Sequence, residues 1–384
     1  MSLSRADKSG FTAWWWTIDR VVLFAVLALI AIGLILAFAA SPAATGGHAS
    51  AGDFRYAGRQ VAFAAVAVVI LGVSSLLSLR AVKLTAAVVF ALALIGAVLA
   101  ILTGSEVLGA RRWIDLGWMT LQPSEFLKPG LAVLGSAILA DRAPMIMPKP
   151  VITLLLAGPA IVVLLLQPDV GQSGLLLALW GVLLFFYGVS PYWMGALAGC
   201  GAGLGVFAYY FFPHVQHRVL QFLGGDKGAF QTGLSLKAFA HGGLWGVGPG
   251  AGTVKYRLPD VHSDFIFAVA GEEFGLLLCG LIAALFCVLS VRLLTRSAQA
   301  RDPFAQMAGA ALAVVLALQA FINMGVAVSL LPAKGMTLPF ISYGGSSLFA
   351  VALTMGFALA VTRQRPKIGA RDHHVFGFLR EARA

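Results

Sequence analysis

The stretch RLPDVHSDFIFAVAGEEFG, which starts at Arg257, places carboxylates at Asp264, Glu272 and Glu273 beside a long apolar run. Pro259 interrupts the chain, and Ser263 is placed to cap a helix starting near Asp264. A carboxylate there meets the positive end of the helix dipole. As chemistry it reads as a general base at a membrane–water boundary. As plain structure it reads as a cap or a salt-bridge partner. With about 3.6 residues per helical turn, Asp264, Ala268, Gly271 and Gly275 share a face, and Glu272 flanks it about 12 Å deeper. The small residues permit close approach of another backbone or a lipid chain. Glu272 and Glu273 read as buried hydrogen-bond anchors, one of them protonated or paired with a lysine.

A second stretch, GARRWIDLGWMTLQPSEFLKPGL from Gly109, sets Arg111 and Arg112 beside Trp113 and Trp118. QPSEFLK then opens a helix. Pro123 suits its first turn, Gln122 or Ser124 can cap it, and Glu125 suits its positive end. Lys128 falls about one turn further in, where it either snorkels outward or points into a bundle cavity. Two guanidiniums and an ammonium converging on one spot suit a pyrophosphate, because arginine gives paired hydrogen bonds and lysine a point charge. The alternative for the arginines is contact with lipid headgroups. A third stretch, LLPAKGMTLPFISYGGSSL from Leu330, holds Lys334 in a loop bounded by Pro and Gly. Ser342 and the glycines after it then open the last helix with backbone N–H groups available to an anion, or simply as ordinary helix entry. Asp169 in QPDVGQSG can cap a helix or pair with a basic residue. Arg218 in QHRVLQF can meet headgroups or substrate. His214, His217, His241 and His262 have no metal-ligand spacing, so no structural zinc site is expected. The chain has no Walker, Rossmann or kinase signature.

Positioning these groups falls to membrane helices. Of the 384 residues 59% are hydrophobic and only 11% charged, against roughly a quarter charged in soluble domains. Mean hydropathy is +0.89. A soluble enzyme is excluded. Apolar runs near 21–40, 60–79, 84–103, 124–140, 151–167, 170–188, 192–212, 264–291, 307–331 and 343–362 predict ten transmembrane helices in an all-α integral membrane protein. The first run is read as a retained helix, not a signal peptide. With the N-terminus inside, the inner side collects 16 of the 27 Lys and Arg against 6 of the 16 Asp and Glu. This positive-inside pattern makes both termini cytoplasmic and accounts for nearly all of the +11 net charge, so nucleic acid is not an expected partner. The chain divides into an N-terminal tail (1–20), a membrane domain (21–362) and a C-terminal tail (363–384). The outer loops are 104–123 and 213–263, the latter between helices 7 and 8 and expected to lie on the membrane surface as interfacial helices such as FQTGLSLKAFAHGGLWGVG. Trp14, Trp15 and Trp16 read as an interface anchor. Cys200, Cys279 and Cys287 lie in apolar runs and suggest no disulfide framework.

Five elements in order, GARRWIDLG…QPSEFLK, QPDVG, QTGLSLKAFAHGGLWGVG, LPDVHSDFIFAVAGEEFG and LPFISYGGSS, resemble the SEDS family (shape, elongation, division and sporulation), bacterial peptidoglycan glycosyltransferases. The resemblance covers about residues 20–365, and LLPAKGMTLPFISYGG is similar to the division branch rather than the elongation branch. It implies ten spans with both ends cytoplasmic, in the bacterial inner membrane at the septum. It implies lipid II, a disaccharide-pentapeptide on undecaprenyl pyrophosphate, as substrate. The family's catalytic acid carries over to Asp264. Arg111, Arg112, Lys128, Lys334 and Arg218 become the expected pyrophosphate contacts, with Trp113, Gln122, Ser124, Glu125, His262, Glu272 and Ser342 in support. A divalent cation, Mg or Mn, is a candidate at the pyrophosphate, although no dedicated cage is visible. The implied partners are a single-span class B penicillin-binding protein transpeptidase (FtsI-like), expected on the 307–331 helix where Gly309, Ala310 and Ala311 permit close contact, and other divisome proteins. The tails are candidates for cytoplasmic division proteins or anionic lipid.

Two other roles fit a lipid-accessible bundle. A lipid II flippase needs polar residues through the full membrane depth or at its midplane, whereas these crowd the outer half. A scaffold would tolerate neutral replacements of Asp264, Arg112 and Lys128. The elongation polymerase is the third alternative.

Overall fold

The computed structural model describes residues 10–44, 54–107, 110–211, 227–332 and 335–363, together with 216 and 220. It is mainly helical: α1 (Gly10–Thr17), α2 (Arg20–Ala44), α3 (Arg55–Ser75), α4 (Leu79–Thr103), α5 (Ser124–Ala140), α6 (Lys149–Leu166), α7 (Val170–Tyr187), α8 (Pro191–Phe211), α9 (Lys227–Gly242), α10 (Ile266–Ala298), α11 (Pro303–Ala327) and α12 (Gly345–Thr362). Each apolar run of the sequence carries a helix. Among the described residues, eight helices are long and apolar enough to cross a membrane. Helix α5 is shorter, at 17 residues, and carries Glu125 and Lys128.

Local chemistry starts and stops these helices. Ser78 caps α4 by accepting from the Ala81 N–H. Asp169 caps α7 from the tight Gln167-Pro168-Asp169 turn, and Asp302 caps α11 with Pro303 in its first turn. Asp19 accepts from the N–H groups of Val21 and Val22 at the start of α2. Its second oxygen accepts from Arg292 Nε (2.9 Å) and Arg296 Nε (2.6 Å), joining the start of α2 to the far end of α10. Burial works against ionisation of Asp19, but the hydrogen bonds and positive charges of these partners hold its pKa below the usual carboxylate value. The Trp run lies on α1, where Trp14 Nε1 donates to Ser75 Oγ at 2.9 Å and Arg20 lies over Trp15 and Trp16.

α12 is the central helix: every residue in it except Phe349 is buried. It packs mainly on α3, with α11 and α5 alongside. At Gly356 a side chain would run into Ser74 of α3, so the crossing requires glycine. α4, by contrast, turns Leu84, Leu92 and Leu102 outward, the surface expected of a lipid-facing helix.

Several expectations need correction. The 104–123 segment is not a plain loop: Ser105–Val107, Ala110–Asp115 and Thr120–Leu121 (β1 to β3) form a small antiparallel sheet in sequence order. The helix expected to start near Asp264 starts at Ile266, after Phe265, and Ser263 does not cap it. Ser263 Oγ instead donates to the Asp260 carbonyl. Neither Gln122 nor Ser124 caps α5, whose N-cap is Pro123. Gly309 and Ala311 are buried inside the bundle, Gly309 against Ser297 and Thr362, and of the three small residues Ala310 alone is partly exposed, so together they do not form a surface for a partner. Hydropathy marks a span but does not tell its lipid side from its packed side.

The shared face from Asp264 to Gly275 is also interrupted. Gly275 takes φ 79°, ψ 178°, a conformation essentially restricted to glycine, and breaks α10. The segment after α9 fills the break. Leu276 N–H donates to the Gly243 carbonyl and Leu277 N–H to Leu244, while Val247 and Gly248 N–H donate to the carbonyls of Glu272 and Glu273. The small residues therefore receive this chain's own 239–248 segment, with Phe239 against Gly271 and Leu244 against Gly275. α9 packs on α10 and more lightly on α11.

Candidate functional site

Asp264 closes the turn between Asp260 and α10. Its N–H donates to the Asp260 carbonyl at 3.1 Å. Burial, then the nearby Asp260 carboxylate, pushes its pKa up to about 7, while the Ser263 hydroxyl acts in the opposite direction. Burial holds the His262 imidazole below its ordinary value against the pull of Asp260. The loop 335–344 lies beside this turn. A side chain on Gly335 would come within 3.6 Å of Asp264 Oδ2. Ser342 Oγ donates to the Ser263 carbonyl (2.6 Å) and accepts from the Leu338 N–H (2.7 Å). Tyr343 N–H donates to the His262 carbonyl at 2.9 Å. The rings of Tyr56, His262 and Tyr343 pack together, the closest pair being Tyr56 and His262 with centroids 4.7 Å apart.

The second group forms where α5, α7 and α11 meet. Lys128 is buried and donates to Glu125 Oε2 (2.7 Å) and Gln319 Oε1 (2.9 Å). The other Glu125 oxygen accepts from Gln172 Nε2 at 2.6 Å. Lys128 thus points into the bundle rather than snorkelling. Arg112 clamps the turn that enters α7, donating from Nε to the Gln167 carbonyl (3.2 Å) and from Nη2 to the Pro168 carbonyl (2.6 Å), with Asp169 3.8 Å from Nη1. Burial raises the pKa of Asp169 despite the charge of Arg112. Gln122 Nε2 approaches the same carboxylate at 3.5 Å. Arg111, its neighbour on β2, is exposed. Successive strand residues point to opposite faces, so the two arginines diverge. Trp113 lies further along β2, half-buried. Ser124 Oγ is buried.

Glu272 stands apart as a framework acid. It accepts from the N–H groups of Thr253, Val254 and Lys255 at 2.7 to 3.0 Å and from His241 Nδ1 at 2.9 Å. Glu273 pairs with the buried Lys255 and accepts from the Gly250 N–H. The two acids hold the 250–255 loop onto α10. Lys334 and Arg218 lie outside the described residues.

The sequence reading missed Asp260, Gln172, Gln319, Asn323 and Tyr56. Asn323 Nδ2 donates to the Asp264 carbonyl at 2.9 Å and to the Met336 carbonyl at 2.6 Å. The available signal was a pair of amides, at i and i+4, inside the apolar run of α11, where a polar group is costly. Among the described residues no three His, Cys, Asp or Glu side chains gather as a metal-ligand set.

A turn that holds a base of pKa near neutrality beside the 335–344 loop can take a proton from a hydroxyl. A family model described as a cell cycle protein, FtsW/RodA/SpoVE, matches residues 19–367. A Caulobacter vibrioides protein named "Probable peptidoglycan glycosyltransferase FtsW" is 40% identical over 380 residues, covering 98% of this chain and 97% of that protein. A Halorhodospira halophila protein of the same name is 35% identical, covering 92% and 93%. A solved chain described under "Structural coordination of polymerization and crosslinking by a peptidoglycan synthase complex" aligns with a TM-score of 0.76 at 27% identity, covering 91% of this chain and 98% of that one. The rod shape determining protein RodA of Thermus thermophilus aligns with a TM-score of 0.66 at 26% identity, covering 92% and 99%.

Proposed function

The chain belongs to the FtsW/RodA/SpoVE family of cell cycle proteins, and from that premise we propose that it is a multi-pass membrane peptidoglycan glycosyltransferase that polymerises lipid II at the bacterial division septum. The observation that carries the reading is Asp264: a carboxylate with its pKa pushed up to about 7, next to the paired loops 258–265 and 335–344. Such a group is a stronger base than an ordinary aspartate, yet is substantially ionised at neutral pH.

Asp264 removes the proton from the sugar 4-hydroxyl of the incoming lipid II. That oxygen forms a bond to the anomeric carbon of the growing strand, the bond from that carbon to the pyrophosphate oxygen breaks, and undecaprenyl pyrophosphate leaves. One base and one displacement give inversion at that carbon, by analogy with inverting glycosidases. Arg111, Arg218 and Lys334 are assigned to the leaving pyrophosphate. Arg112 reaches it only by exchanging its present partners, whereas the Lys128 ammonium has a third N–H beyond those given to Glu125 and Gln319. The described residues offer no ligand set for Mg or Mn, so a cation would take its oxygens chiefly from the pyrophosphate. We assign the full ten spans, cytoplasmic termini and an outer-face site to the same reading, with a class B penicillin-binding protein as partner. The test is lipid II turnover by Asp264→Ala that keeps the wild-type unfolding profile. The expected loss is about 10²- to 10⁴-fold, the usual share of a general base; near-normal turnover removes Asp264 from that role.

A further inference from the structure

Helix α11 presents two amides one turn apart, Gln319 and Asn323, on one face. They are 3% and 1% exposed. A buried amide in an apolar helix costs free energy unless its hydrogen bonds are made; Gln319 both accepts and donates, while Asn323 donates twice and its buried Oδ1 accepts from no protein group. Gln319 accepts from Lys128 Nζ at 2.9 Å and donates to the Thr337 carbonyl at 3.3 Å. Asn323 donates to the Asp264 carbonyl and to the Met336 carbonyl. Two carbonyl acceptors fix which end of the Asn323 amide is nitrogen. Met336 and Thr337 are consecutive, and Thr337 Oγ1 is itself held by Ser347 Oγ of α12 at 2.6 Å. The contacts form two rungs, Lys128–Gln319–Thr337 and Asp264–Asn323–Met336, on one helix face. No side chain caps α10, and among the described residues Asn323 holds the Asp264 carbonyl from outside the turn.

Resting on the polymerase reading, we propose that Gln319 and Asn323 are positioning residues that fix the base Asp264 and the cation Lys128 in one frame through the 336–337 backbone. They act through these two residues and not by touching substrate. A small misplacement of a reacting group far outweighs the loss of one hydrogen bond in its effect on rate.

The experiment uses the full chain in lipid vesicles with its transpeptidase partner and lipid II, comparing wild type with the near-isosteric Asn323→Leu and Gln319→Met and with the double variant. Each single variant is expected to lose roughly 10- to 100-fold in kcat, while KM for lipid II stays within about twofold. The double variant is expected to be about as slow as the slower single, as for residues acting as a unit. Hydrogen exchange of 262–265 and 336–338 should speed up in Asn323→Leu. Should that variant fail to fold, Asn323→Asp replaces it, keeping the shape but turning a donor into an acceptor. Unchanged kcat, or a rise in KM with kcat preserved, overturns the proposal. So does unchanged exchange. Wild type that makes no glycan under any condition removes the polymerase reading instead, and the exchange measurement still decides whether the tether exists.

Discussion

At the scale of single residues, the site depends on a carboxylate kept partly protonated by its surroundings. Burial is the main cause at Asp264 and the Asp260 charge the second. Asp260→Asn removes a repelling negative charge, so the Asp264 pKa should fall. The acid limb of kcat/KM should then move to lower pH from its wild-type position near 7, and only part of the way back, because burial remains. A pH–rate profile of wild type and variant checks this; an unmoved limb means that Asp264 does not set it. Lys128 gives a stability test. Glu125→Gln strips a buried ammonium of its countercharge, a change that costs about 3–5 kcal/mol at comparable buried pairs. Chemical unfolding in detergent should show the loss, and Glu125→Gln with Lys128→Met should recover part of it. Asp264, Lys128, Glu125 and Arg112 were legible in the sequence because ionisable groups in an apolar chain are rare and costly. Their partners were not, because Gln319 and Asn323 stand out only as two amides one turn apart in an apolar run, and the groups they hold are set by the loop brought against them. The divergence of Arg111 and Arg112 was missed because the segment was read as a loop, without the alternation of a strand.

Among the elements, the break in α10 ties the segment after α9 to that helix. Four backbone hydrogen bonds pass between the halves of this helix and residues 243–248, and Glu272 and Glu273 fasten the 250–255 loop just below. Gly275→Ala would place a methyl group against the Leu244 carbonyl and strain a glycine-only backbone, by about 1–3 kcal/mol before the clash is counted. Thermal unfolding should fall, and hydrogen exchange should rise in 243–248 and 272–277 together. A change confined to one of these two segments contradicts the interlock. The helices themselves were legible as apolar runs, within a few residues. The break was not, because a glycine in an apolar run is equally a packing residue. α9 lay within the expected interfacial stretch, but the sequence held no sign that it would pack on α10 or that the segment after it would fill the break.

For the molecule as a whole, hydropathy and charge located the helices, and the order of motifs pointed to the family. Neither could say that α12 runs through the centre while α4 faces outward, since both are uniformly apolar. The expected placement of Arg292 and Arg296 on the same side as the N-terminal segment agrees with their common partner Asp19 at the start of α2. Asp19→Leu leaves two cations facing each other and should lower the unfolding midpoint, with the effect largest at low salt; no change at any salt would show that the α2–α10 contact does not need the pair. The most direct measurement of the central claim is glycan product length. Purified protein with and without the proposed class B penicillin-binding protein receives lipid II and a divalent cation, beside Asp264→Asn. Long strands from wild type and none from the variant are the expected result. Equal strands from both, or lipid II crossing vesicle membranes with no strands at all, would contradict a polymerase centred on Asp264.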